Sequence, residues 1–138
     1  MASFVYNSFW EDLARGNVDL DTNTFRMMLV TSSYVPDKDT HLKRDSITSE
    51  ISATGYTAKG PTVTFTITKD TATDRISYTL SSVSLATFTG TSRRAIYYRD
   101  RGGASSADEL IACNDFGADV TYTAATMSVA AFNIRVQN

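Results

Sequence analysis

The chain has 138 residues, 42% apolar and 20% charged, with a net charge of −2. That length suits one domain, residues 1–138, burying about two thirds of its unfolded surface. The near-neutral charge lacks the clustered cations that nucleic acid demands, and no run of about eighteen apolar residues encodes a membrane span. Ser and Thr supply about a quarter of the residues, a composition that favours sheet.

Residues 1–16 read as an aromatic arm followed by a short helix. Asn7 is placed to cap a helix from Ser8 to Arg15, with Glu11 and Asp12 in its first turn and Gly16 as its stop. Phe9, Trp10 and Leu13 give that helix one apolar face, and Phe4, Val5 and Tyr6 precede it. So short a helix must dock, either on its own sheet or on a neighbouring molecule. Apolar patches interrupted by polar residues and the lack of a basic start do not make a signal peptide, so the expected origin is a cytosol-like compartment.

Asp19, Asp21 and Asn23 have the spacing that opens a calcium loop, but Thr24 stands where such a loop turns on Gly and Val30 where it needs a bidentate Glu. A solvated connection is expected instead. Phe25 to Val30 reads as a strand apolar on both faces, and Ser32 to Ser46 as a long surface loop with a helical turn near its end. His41 in that loop has no second His to complete a metal site and is expected to be solvated. Val63, Phe65 and Ile67 alternate with Thr62, Thr64, Thr66 and Thr68 as one strand with a threonine-coated outer face.

The stretch from Asp74 to Arg101 is expected at the centre of the fold. Ile76, Tyr78 and Leu80 form a half-buried strand, and Val83, Leu85 and Phe88 continue its core side. Thr89 to Ser92 reads as a turn, after which Ala95 to Tyr98 return as a strand buried on both faces and flanked by Arg93, Arg94, Arg99 and Arg101. Glu109 to Asp115 is a further strand, with Phe116 to Asp119 turning the chain. In the last strand Met127, Val129 and Ala131 are out of phase with Phe132, Ile134 and Val136, which predicts a bulge near Ala130 to Phe132. About eight such strands predict an all-β antiparallel sandwich or jelly roll with a short N-terminal helix.

No nucleophile elbow, phosphate loop or zinc-protease motif occurs, and with a single His and a single Cys most nucleophile and base pairings cannot be assembled; carboxylates such as Glu11, Glu50, Asp45 or Glu109 could still pair, but no spacing singles out a pair. Cys113 reads as a small buried side chain. The expectation is therefore no enzyme, no cofactor and no metal. A glycan-binding surface using Trp10, Tyr34, Tyr56 or Tyr122 remains open on composition alone.

Four segments carry a family resemblance in order along nearly the whole chain: GNVDLDTNTFRMMLVTSSYVPDKDTH from Gly16, SATGYTAKG from Ser52, DRISYTLSSVSLATFTGTSRRAIYYRD from Asp74 and ELIACNDFGADVTYT from Glu109. Together they resemble small structural proteins of tailed bacteriophages, most of all the jelly-roll cement or decoration proteins of the head, as in Bordetella phage. The resemblance implies a virion component on the head surface, assembled in the host cytoplasm, bound to the major capsid protein and forming a dimer or trimer. A tail or tail-fibre component is the alternative. For the partner interface, the aromatic arm (Phe4, Tyr6, Phe9, Trp10) and the strand-end arginines (Arg93, Arg94, Arg99, Arg101) are the candidate contacts.

Overall fold

The computed structural model describes residues 2–137, and its architecture is all-β: eight strands in two antiparallel sheets, with one short helix near the N-terminus. The strands are β1 (Phe4–Val5), β2 (Phe25–Val30), β3 (Thr62–Val63), β4 (Phe65–Asp70), β5 (Arg75–Leu80), β6 (Val83–Arg99), β7 (Leu110–Val129) and β8 (Phe132–Gln137). Helix α1 spans Asn7–Ala14. The larger sheet runs β1-β7-β6-β2-β3, and the smaller runs β4-β5-β8.

Three connections between the sheets lie close together and organise the molecule. The expected single strand through Val63 and Ile67 divides at Thr64: β3 pairs with β2 in the large sheet, while β4 pairs with β5 in the small one. Ser81 and Ser82 carry the chain from β5 back to β6. Ala130 and Ala131 carry it from β7, where Val129 opposes Val83, to β8, where Phe132 opposes Leu80. Two of these corners are tied together, since Ser81 N donates to Thr64 O at 2.9 Å and Thr64 N donates to Ser81 Oγ at 3.1 Å. The phase change in the last strand is thus real but has another cause: the two apolar sets serve different sheets.

Two expected turns are absent because β6 and β7 form one long hairpin. Thr89 to Ser92 stay within β6 between two register shifts, and Gly90 sits there because Thr54 bridges to Thr89 and brings Ala53 so near that a Cβ on Gly90 would stand 2.6 Å from the Ala53 Cβ. Glycine in a strand interior marks such a close approach. Phe116 to Asp119 likewise do not reverse the chain. They are four residues of β7 without counterparts, between the pairs Arg94–Asp115 and Ser92–Val120, bulging out on Gly117 with φ +85°.

The middle strands of the large sheet are buried on both faces, as their apolar runs predict. Met27, Leu29, Ala95, Tyr97 and Ile111 face the small sheet and α1, in a core that includes Phe9, Leu80, Val129 and Ile134. Phe25 meets Phe65 edge-on at 4.9 Å, and Tyr97 packs on Phe132 at 5.4 Å across the two sheets. The opposite face carries Met28, Val30, Ile96, Tyr98 and Leu110, closed over by Tyr6, Tyr34 and Ile47 from the arm and the long loop. Each large side chain so buried contributes about 1.5–3 kcal/mol.

Helix α1 begins one residue earlier than expected, so Glu11 and Asp12 fall beyond its first turn. Tyr6 occupies the cap position with no side-chain cap, and the Asn7 amide instead donates to the Asp39 carboxylate across to the long loop. Gly16, with φ +78°, follows the helix as its left-handed stop.

Candidate partner-binding surfaces

The aromatic arm is spent largely on the chain's own core. β1 adds to the edge of the large sheet, with Phe4 opposite Cys113 and Val5 opposite Ala112, and Tyr6 N donates to Ile111 O at 3.0 Å. Tyr6 and Phe9 are completely buried, one on each face of that sheet, and have no surface to offer a partner. Phe4 is half-buried against Tyr6, their rings 5.1 Å apart. Trp10, 38% exposed and 5.2 Å from the Phe9 ring, is the arm side chain that reaches the surface.

The four arginines expected at strand ends are engaged within the chain, and Arg93 and Arg94 lie inside β6 because the expected turn before them is part of that strand. Arg93 and Arg94 both reach Asp115, at 3.1 and 3.0 Å, and buried Arg94 also donates to Tyr34 O at 2.9 Å. Arg101 forks onto Glu109 from Nε and Nη2, Arg99 stands 3.8 Å away and Lys43 3.9 Å. Glu109 is buried, and so is its neighbour Asp108, which accepts from Arg44 at 2.7 Å and from Arg101 N at 2.9 Å. Burial alone would raise the Glu109 carboxyl, but the Arg101 hydrogen bond and the nearby Lys43 charge outweigh it and hold the group below the usual carboxylate range. At Asp115 the same contest between burial and the Gly117 N–H, Arg93 and Arg94 also ends below that range. A buried carboxylate needs such partners.

His41 is not a freely solvated side chain. Its Nδ1 lies 2.8 Å from the Tyr34 hydroxyl and accepts from Asp37 N at 3.3 Å, and the Tyr34 hydroxyl is 2.9 Å from that of Tyr6. Because the Asp37 N–H can only donate, Nδ1 is an acceptor, which orients the chain of donation from Tyr6 through Tyr34 to His41. Burial pushes the Tyr34 phenol up to about 12. The long loop is therefore pinned to the sheet at its middle. Buried Cys113, its thiol pushed up to about 12 by burial, sits beneath the same cover.

The Asp19 segment is a side-chain-closed turn, with Asp19 accepting from Asp21 N at 2.9 Å and Asn23 accepting from Asp19 N at 2.7 Å. Among the described residues no three His, Cys, Asp or Glu side chains cluster as a metal site, and no helix is long and apolar enough to cross a membrane. Of the aromatics open to a glycan reading, Tyr34 is buried, and the half-buried Tyr56 donates to Glu50 at 2.7 Å.

Val35 and Leu42 on the long loop are the most exposed large apolar side chains, and the small sheet carries a further open apolar surface on paired strands. Its apolar face is built in rows across the three strands: Phe65, Leu80 and Phe132, then Ile67, Tyr78 and Ile134, then Lys69, Ile76 and Val136. The first row and Ile134 of the second pack into the core, but the β4 side of the sheet runs on past it. Ile67 is left 44% exposed and Val136 37%. Ile67, Ile76 and Tyr78 floor a groove of about 430 Å³ whose wall is Leu13, Val18 and Leu20 and whose rim carries Asp19 and Asp21. The Asp21 N–H bonded to Asp19 lowers the Asp19 carboxyl below its ordinary range and favours its anionic form. The alternation of Val63, Phe65 and Ile67 shows which way these side chains point, but the end of the core depends on where the chain passes from the large sheet to β4 at Thr64.

No family model, no curated protein and no solved structure matches the chain.

Proposed function

We propose that this chain is a structural component of a tailed-bacteriophage particle, a cement protein that binds the outer head shell and holds neighbouring major capsid protein subunits together. The observation that carries the binding role is the groove beside the overrunning end of the small sheet. An apolar floor on a paired strand, left open to water beside a polar rim, is how a monomer presents a site for another protein. The resemblance along the chain to phage head proteins supplies the identity of that partner.

The mechanism is mass action. A protein that binds the assembled shell but not its separated subunits stabilises the shell by its binding free energy, multiplied over many copies. The groove suits this task because its floor is fixed: Ile67 opposes Tyr78 in a continuous ladder from Phe65 to Asp70, so little order is lost on docking. The anionic rim favours a shell segment that sets a basic residue beside apolar ones.

Heads assembled without the protein should rupture at lower temperature or milder osmotic shock than decorated heads, and adding the purified chain should restore resistance. Equal survival with and without it would remove the cementing role.

A further inference from the structure

We propose that β8 pairs edge to edge with β8 of a second copy of this chain, across a two-fold axis, joining two small sheets into one antiparallel sheet of six strands. β8 is bonded to β5 on one side only, and among the described residues no other backbone hydrogen bond reaches Phe132 to Gln137. Asn133, Arg135, Val136 and Gln137 are exposed along it. A free strand of six residues in unbroken register is a template for another strand.

Beyond β1 and β2 the β6–β7 hairpin is also open on its outer sides, but register shifts at Leu85/Phe88, Phe88/Gly90 and Ser92/Arg94 break its ladder, whereas β8 is unbroken; the remaining edges are guarded. β1 and β3, which end the large sheet, are two residues each. β4, the opposite edge of the small sheet, places Lys69 on its apolar face, in the row of Ile76 and Val136. A charge pointing to the apolar side of an edge strand discourages pairing. β8 has Val136 at that level, and no Lys, Pro or Gly anywhere along Phe132–Gln137.

The strand is also complementary to itself in one register. Two-fold pairing must keep like faces together, so its axis passes through a residue. Centred on Ile134, it sets Asn133 opposite the partner's Arg135 and Phe132 opposite the partner's Val136, so Arg135 gains a polar acceptor and Val136 leaves water. Centred on Arg135, it would set two guanidinium groups against each other, which opposes pairing. Charge rejects the Arg135-centred register, and centring on Asn133 would set Arg135 and Val136 opposite the partner's Ala131 and the partner's Ala130, outside the strand, so the Ile134-centred register is the one that uses β8 most fully. This edge lies across the sheet from the floor formed by Ile67, so the pairing stands whether or not the groove grips a phage shell.

Sedimentation equilibrium on the full chain at micromolar concentration tests the pairing. The wild-type chain should be a dimer. Asn133→Arg, on the exposed polar face, should raise the dissociation constant about tenfold by opposing the partner's Arg135, and Asn133→Arg with Arg135→Glu should restore it. Ile67→Lys should leave it unchanged, with circular dichroism confirming that each variant folds. A monomeric wild type, a dimer indifferent to Asn133→Arg, a double variant that fails to recover, or equal weakening by Ile67→Lys would each overturn the proposal.

Discussion

Glu109 and Asp115 show how single charges are used in this molecule. Both carboxylates are buried under arginines from the interior and the end of β6 and from the segment after it, and both are held below their ordinary values of 4.5 and 3.8. A carboxylate depressed in the folded state binds its proton more readily when unfolded. Its stabilisation is therefore present above the ordinary value and is lost as pH falls through the lowered one. The midpoint of urea unfolding should be steady near neutrality and drop in acid below those ordinary values, and Glu109→Ala should lower stability toward the near end of about 3–5 kcal/mol because it strands the cations around it. A Glu109→Ala protein as stable as the wild type at neutral pH would show that the cations there are held by water alone. The arginine cluster was visible in the sequence; its partners were not, because Glu109 and Asp115 reach it across a ladder whose register no spacing reveals. His41 is a similar case: seven residues from Tyr34, it shows no sign in the sequence of the hydroxyl that it meets.

At the scale of elements, alternation located the strands well and their ends poorly. β2 matches its apolar run residue for residue, and β6 and β7 are buried on two faces where their runs are continuously apolar. Thr89 to Ser92 resembled a turn because Gly next to Thr and Ser is ordinary turn chemistry. What keeps Gly90 in a strand is the passage of Ala53 over it, a contact between residues 37 positions apart. Gly90→Ala should accordingly lower stability by about 1–3 kcal/mol through the forced shift of that segment, read as a lower midpoint of thermal unfolding; an unchanged midpoint would mean that the Ala53 segment yields freely. The arm belongs to this scale too. Removing residues 1–6 deletes β1 and the buried Tyr6, so the truncated chain should unfold at lower denaturant, whereas an arm reserved for a partner would leave the midpoint where it was.

As a whole the molecule is a rigid double-faced sheet with a smaller sheet that outruns the core it covers. The fold class was legible in the period-two patterning and the spacing of the strands. The surfaces were harder to read, because exposure is decided by where three neighbouring corners pass the chain from one sheet to the other. Phe65 and Ile67 are two residues apart and alike in character, yet Phe65 packs against Phe25 and Ile67 stands open to water. The groove floored by Ile67, Ile76 and Tyr78 is the surface on which the proposed cementing rests. Burying an aliphatic side chain of this kind is worth about 1.5–3 kcal/mol, so a charge in its place should cost at least about tenfold in affinity. The most direct test is co-sedimentation of the purified chain with undecorated phage heads. The wild-type chain should pellet with the heads at saturating stoichiometry while folded Ile67→Lys binds at least about tenfold more weakly; a wild type left in the supernatant, or an Ile67→Lys variant that binds equally well, would contradict the account.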